Sequence, residues 1–226
     1  MGGVLARGLT KAEVTLRRPV RLGRPYQALD ESDGVRVLRD GESVLAEARQ
    51  ASVDLDIPPP VGLEPSRIAS ETYIGHRNHF VPSCFNCGPS RPEGDGLRIF
   101  PGVVAELGVV AAPWIPSLTL AGANGEVSPE FIWAALDCPT IWALVLLGKP
   151  DTDEKAVTGR LAVELISPSH AGQPHVVMAW KEGESGRARV AGGAIYSADG
   201  RLLAKAKHTL VTTDWGVPMG LNHWRP

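Results

Sequence analysis

The charged residue that stands out most from its surroundings is Asp137, which lies alone in the apolar segment from Phe131 to Leu147. An ionised carboxylate in such a segment is costly to bury unless it is paired or functional, and burial raises the pKa of the carboxyl. A carboxylate of this kind can act as a general base or as a nucleophile. The structural alternative is an aspartate that bonds backbone groups where Pro139 interrupts the helix. Asp137 is therefore the first candidate catalytic residue.

Glu130 is a second catalytic candidate, because it precedes Asp137 by seven positions, or two helical turns. The two carboxylates then share one face of a helix and could divide acid and base roles. The alternative is that Glu130 only stabilises the first turn of the helix, where the helix dipole favours an acidic side chain. Cys138 could be a nucleophile, although a buried cysteine usually only packs.

A second group of reactive side chains lies between positions 76 and 87, where His76 and His79 precede Cys84 and Cys87. Structural zinc sites usually pair a C-x-x-C motif with a second such motif or with spaced histidines. Redox C-x-x-C motifs start a helix after a strand, whereas the Gly- and Pro-rich segment that follows here favours a turn. We therefore predict an entry loop with no metal and no cofactor, with zinc and redox chemistry as the alternatives.

Composition excludes several classes of partner. Lys and Arg number 23 against 25 acidic residues, for a net charge of −2, so nucleic acid is not an expected partner. The N-terminal residues lack the apolar core of a secretory signal, and three cysteines do not make a disulfide framework, so we predict a cytoplasmic protein. An Asp and a Pro interrupt the apolar helix, which predicts a buried core helix and no membrane partner.

Two pairs of similar segments indicate an internal duplication. VTLRRPVRLGRP (14–25) aligns with VELISPSHAGQP (163–174), and DGESVLAEARQASV (40–53) resembles DGRLLAKAKHTLV (199–211). Both pairs occur in the same order. We predict an incomplete N-terminal unit over residues 1–57, a Pro-rich linker over 58–75 and a complete unit over 76–226.

The elements that must position Asp137 follow from periodicity and turn signals. Ser128 as N-cap, Pro129 at the first helical position and Gly148 as the stop predict one long helix. Alternating or β-rich segments predict strands at 12–19, 25–41 and 43–57 in the first unit and at 95–102, 108–116, 159–168, 174–183, 188–200 and 201–213 in the second. The first unit opens directly on GGVLARGL, the counterpart of the helix start, so we predict that it lacks its first strand or strands.

Strands, one buried helix and an antiparallel meander together resemble the hot-dog fold of the acyl-CoA thioesterase superfamily. Two copies resemble the double hot-dog arrangement. The resemblance implies an α+β protein of two tandem units, each an antiparallel sheet wrapped around a central helix. It also implies a thioesterase-like hydrolase of acyl-CoA or acyl-carrier thioesters that forms a homo-oligomer through sheet pairing.

The resemblance also implies site residues. Thioesterases similar to phenylacetyl-CoA thioesterase carry two glycines at the helix start and an Asp about eight positions later, and a helix-start N–H holds the thioester carbonyl there. Asp137 is in register with this pattern, but Pro129 and Glu130 replace the glycines. Gly2 and Gly3 match the glycines in the first unit, where no Asp follows. A composite site between the units, with Gly2 and Gly3 binding substrate, is the expectation.

Trp133 and Trp142 are predicted to line an acyl pocket, with simple core packing as their alternative. The main rival to the hydrolase is a non-catalytic acyl-binding or assembly module, which Pro129 and the incomplete first unit favour. A dehydratase on the same fold would need a His–Asp pair facing one pocket, and neither predicted central helix carries a His.

Overall fold

The computed structural model describes residues 1–21, 23–31 and 33–224, and these form an α+β protein with a single antiparallel sheet. Its short 3-10 turns lie at Ile74–His76, Ala105–Leu107, Leu118–Leu120 and Leu221–Trp224. The helices and strands are α1 (Gly2–Leu5), β1 (Lys11–Leu16), β2 (Gln27–Asp30), β3 (Arg36–Asp40), β4 (Ser43–Gln50), α2 (Leu63–Glu71), β5 (Gly102–Val104), β6 (Val109–Trp114), α3 (Pro129–Leu146), β7 (Lys155–Leu165), β8 (His175–Ser185), β9 (Ala188–Ser197), β10 (Leu202–Thr213) and β11 (Val217–Pro218).

The strand order repeats over four strands on either side of the contact between β1 and β7, and β6 and β5 extend it on one side only. It runs β2-β3-β4-β1-β7-β10-β9-β8-β6-β5, with β11 paired to β7. The register repeats as well, because Ala12 pairs with Gln50 in the first half and the aligned residues Leu161 and His208 pair in the second. Four strands of each half therefore follow the same order and register.

Helix α3 positions the candidate site, and it packs against β6, β8 and β9 of the sheet. Its close approach requires Gly193 on β9, since a Cβ there would lie 2.9 Å from Thr140 Cγ2. Helix α3 is long and apolar enough to pass for a membrane span, but 61% of it is buried inside the fold. This packing is that of the core helix predicted from the sequence.

Three local features differ from the sequence expectations. The segment predicted as a strand at 95–102 is irregular until β5 begins at Gly102, where α2 approaches so closely that a Cβ would lie 1.7 Å from Ala69 O. The segment 58–75, predicted as a linker, contains α2, which packs on β5 and β6. The helix of the first half is a single turn, because Gly8, with φ of 88°, turns the chain towards β1.

Candidate functional site

Asp137 lies in the middle of α3, and one oxygen of its carboxylate is buried while the rest of the side chain is partly exposed. The Asp137 side chain is 38% exposed to solvent. Its Oδ1 atom, however, is buried and has no hydrogen-bond partner in the part of the chain that the structure describes. The exposed fraction therefore belongs to the rest of the side chain. Asp137 does not use its carboxylate to bond the backbone near Pro139, so the structural alternative has no contact to support it.

Burial raises the pKa of the Asp137 carboxyl from 3.8 to about 6. Negative charge on Cys84 raises it further, whereas the α-amino group of Met1 opposes the shift. A carboxyl group with this pKa is a stronger base than an ordinary aspartate and still ionises near neutral pH. The position is therefore chemically suited to accept a proton from water.

His208 on β10 faces Asp137, a pairing that the sequence analysis missed. Its Nδ1 lies 3.7 Å from Asp137 Oδ1 and 2.6 Å from Thr140 Oγ1, and its Nε2 lies 3.0 Å from Thr158 Oγ1. The Thr140 hydroxyl donates to the main-chain oxygen of Asp137 at 2.5 Å, so we assign the imidazole hydrogen to Nδ1 and the acceptor role to Nε2. One signal was available in the sequence, since His208 occupies an inward position between Ala206 and Leu210.

Burial of the imidazole lowers the pKa of His208 from 6.5 to about 3, although a hydrogen bond to the Asp137 backbone opposes the shift. His208 has no exposed surface, and both its ring nitrogens have hydroxyl partners. It is a neutral, satisfied core histidine. A His–Asp pair of the kind a dehydratase needs is present, but this histidine is fully buried and does not line either of the two cavities described below.

The first turn of α3 gathers four of the residues predicted for the site. Gly3 packs so closely that an added Cβ would lie 2.6 Å from Glu130 Cα, and a Cβ on Gly2 would lie 3.1 Å from Trp133 Cε3. The Glu130 carboxylate pairs with Arg7 Nη2 at 3.4 Å. Both glycines therefore let α1 pack against α3, and Glu130 already has a cationic partner.

Trp142 is separated from this group and lies on a different face of α3. Its ring centroid is 5.0 Å from that of Tyr73, 5.6 Å from that of His79 and 4.6 Å from that of Trp224. This aromatic cluster holds the loop that carries the C-x-x-C motif against the central helix. Trp142 and Trp133 therefore do not line a common pocket.

The same face of α3 brings Cys138 to the C-x-x-C motif. The sulfur of Cys84 lies 3.6 Å from that of Cys138 and 3.8 Å from that of Cys87, and all three are free thiols. Hydrogen bonds from Cys138 and Cys87 lower the pKa of the Cys84 thiol, while bonds to its neighbours and burial raise the pKa of Cys138. These sulfurs are the residues best arranged to hold a metal, and no pattern in the sequence linked Cys138 to the motif.

Two of the cavities that border α3 lie next to candidate site residues. One of about 280 Å³ lies beside the helix start and is lined by residues that include Thr10, Pro129, Ile132, Leu165 and Leu203. The other, of about 70 Å³, adjoins the three cysteines. Asp137 does not line either of them.

No family model matches the chain, and the comparison with curated proteins gave no match. Solved structures do match. RHA08564, a thioesterase superfamily protein, is 18% identical with a TM-score of 0.44, over 50% of this chain and 53% of that chain. Zebra fish thioesterase superfamily member 2 is 14% identical with a TM-score of 0.40, over 46% and 74%. The protein smu.793 from Streptococcus mutans UA159, solved with acetyl CoA, is 17% identical with a TM-score of 0.40, over 47% and 82%.

These structures, two of them described as thioesterase-superfamily proteins, are what part of this chain is similar to. Each covers about half of this chain, and the chain spans about half the length of RHA08564.

Proposed function

We propose that this protein is a thioesterase-like hydrolase acting on an acyl-CoA or acyl-carrier thioester. The observation that carries the proposal is Asp137, a partly exposed carboxylate on the central helix whose Oδ1 has no hydrogen-bond partner in the described residues. Leaving a buried carboxylate oxygen unsatisfied costs free energy, and a purely structural role does not repay that cost. In the proposed reaction, water or the thioester carbon meets the exposed part of this carboxylate.

In this reaction Asp137 acts as the general base for water or as the nucleophile. The N–H of Glu130 lies in the first turn of α3, where amides have no acceptor within the helix, so it can polarise the thioester carbonyl. Pro129, the preceding residue, has no N–H to contribute. The Glu130 carboxylate, paired with Arg7, is directed to another partner, which limits its repulsion of a developing oxyanion.

The tandem double hot-dog arrangement is part of the proposal. It is supported by the repeated order of four strands and by the pairing of Glu13 with Ala162, its own counterpart at the offset that aligns Val14 with Val163. Two equivalent strands that pair at equivalent positions are related by a local twofold axis, as in an isologous dimer. We further propose a cytoplasmic homo-oligomer that associates through the remaining sheet edges.

A non-catalytic acyl-binding or assembly module is the second candidate. It is favoured by the 280 Å³ cavity, which borders Pro129 and Ile132 but does not include Asp137. An acyl group held there would lie at the helix start and away from the carboxylate. Binding without hydrolysis would be the consequence.

Free-thiol release from a panel of acyl-CoA thioesters separates the two candidates. Wild type and Glu130→Gln should hydrolyse at least one chain length, and Asp137→Asn should not. Equal rates in wild type and Asp137→Asn would exclude Asp137 as the base. Saturable acyl-CoA binding by calorimetry, with no hydrolysis of any chain length, would replace the hydrolase by the binding module.

A further inference from the structure

All three cysteines of the chain meet at one point, although they come from two distant segments. Cys84 and Cys87 belong to the loop before β5, and Cys138 belongs to α3. Their sulfurs all lie within 4.8 Å of one another, with separations of 3.6 Å and 3.8 Å from Cys84 to the other two. Tetrahedral zinc with Zn–S bonds of about 2.3 Å holds its sulfur ligands about 3.8 Å apart. We propose that the thiolates of Cys84, Cys87 and Cys138 bind one Zn²⁺ ion.

Each sulfur is supplied with N–H donors, which a thiolate needs and a packed thiol does not. The backbone N–H groups of Asn86 and Cys87 lower the pKa of the Cys84 thiol and so favour its thiolate. The side-chain amide of Asn86 donates to Cys138 Sγ at 3.4 Å. Donors of this kind orient zinc ligands and disperse their charge.

His79 supplies the donor for the third sulfur. The N–H of Val81 donates to His79 Nδ1 at 2.9 Å, which leaves the ring hydrogen on Nε2, 3.4 Å from Cys87 Sγ. His79 is thus assigned as a positioning residue that hydrogen-bonds the Cys87 thiolate. The three sulfurs supply three of the four positions of a tetrahedral site.

The fourth position faces the 70 Å³ cavity, which is lined by the three cysteines together with His79 and apolar side chains such as Phe80 and Ile141. A water molecule needs about 10–15 Å³ of such volume, so the space accepts the ion and one small ligand. A water in this position completes the tetrahedron.

The loop itself is built to present the two sulfurs. From Arg77 to Pro101 the chain has no helix or strand, and loops of that length are uncommon unless something orders them. Gly88 permits the tight turn after Cys87, because a Cβ there would lie 2.4 Å from the backbone N of Cys84. Zinc bound to Cys138 would fasten this loop to the central helix.

Zinc binding releases protons, because each cysteine thiol that becomes a zinc ligand loses one proton to the solvent. No oxidant is involved. The inference does not rest on the proposed thioesterase reaction, and it differs from the entry loop without metal that the sequence alone predicted.

The first test is the zinc content of full-length protein purified without chelator, measured by inductively coupled plasma mass spectrometry. We expect about one zinc per chain in wild type and in Ser83→Ala, a control in the same loop. Cys84→Ser and Cys138→Ser should each lose zinc affinity by at least about tenfold, and His79→Ala, which removes only a hydrogen-bond donor, should lose between about tenfold and 100-fold.

The second test needs no variant and therefore does not depend on whether the serine variants fold. Wild type with Co²⁺ in place of zinc should show intense near-ultraviolet thiolate-to-cobalt absorption, and denaturation should release the metal together with three reactive thiols. The proposal is overturned if wild type refolded with excess zinc retains none, or if the serine variants hold as much zinc as wild type. It is equally overturned if the mass of the unreduced protein reveals a Cys84–Cys87 disulfide.

Discussion

Acid should destabilise the folded protein through His208. Its pKa is about 3 in the fold, against an ordinary value of 6.5. A base whose pKa is lowered by folding contributes full stability above the unfolded pKa, and that stability is lost as the pH falls from about 6.5 towards about 3. The loss approaches about 1.4 kcal/mol per pH unit, which gives about 2 kcal/mol between about pH 7 and about pH 5.

Asp137 would obscure this effect, because its shift has the opposite sign. Its pKa is raised to about 6 in the fold, so on mild acidification it binds a proton in the folded state before it does so in the unfolded state, which stabilises the folded state. The informative comparison is therefore between Asp137→Asn and the double variant Asp137→Asn/His208→Gln. Protonation of other carboxylates affects both proteins alike.

Urea unfolding at several pH values between about 7 and 5 measures the effect as a free energy of unfolding. Deleting the hydrogen bonds to Thr140 and Thr158 lowers the stability of the double variant by a constant amount. The difference between the two proteins should then shrink by about 2 kcal/mol as the pH falls. A difference that stays constant would mean that His208 is protonated inside the fold, and the burial argument would be refuted.

Three further results are expected. Asp137→Asn should lower kcat/KM for acyl-CoA hydrolysis at least about 100-fold, whereas Glu130→Gln should lower it less than about tenfold; comparable losses would make Glu130 an acid-base group as well. Gly3→Ala should cost about 1–3 kcal/mol in thermal unfolding, because its Cβ meets the backbone of Glu130, while Val4→Ala at an exposed position should change it by less than about 0.5 kcal/mol. A zinc chelator should lower the Tm of wild type and leave that of Cys138→Ser unchanged, and an equal shift in both would argue against a metal at this cysteine.

Much of the local structure could be predicted from residue patterns. The strands β7 to β10 and the helix α3 follow from alternation, from Pro129 at the helix start and from an apolar segment of helical length. The irregular chain before Gly102 could not, because a β-rich sequence forms a strand only where a partner strand is available. Helix α2 was missed because prolines precede it, Pro65 lies in its first turn, and its residues are polar on average.

The candidate site also has features that the sequence predicted and features that only the structure shows. The spacing of Glu130 and Asp137 placed both carboxylates on one helix face, and burial of Asp137 was expected from its apolar neighbours. The contacts of Asp137 with His208, and of Cys138 with Cys84, join segments 71 and 54 positions apart.

The sequence by itself determined most of the strands, the helix α3 and the duplicated pattern, because these depend on local periodicity. Only the tertiary structure decided which side chains meet, because packing across the sheet and around α3 depends on the whole chain. The unsatisfied oxygen of Asp137, the buried His208 and the three converging sulfurs all belong to that second kind of information.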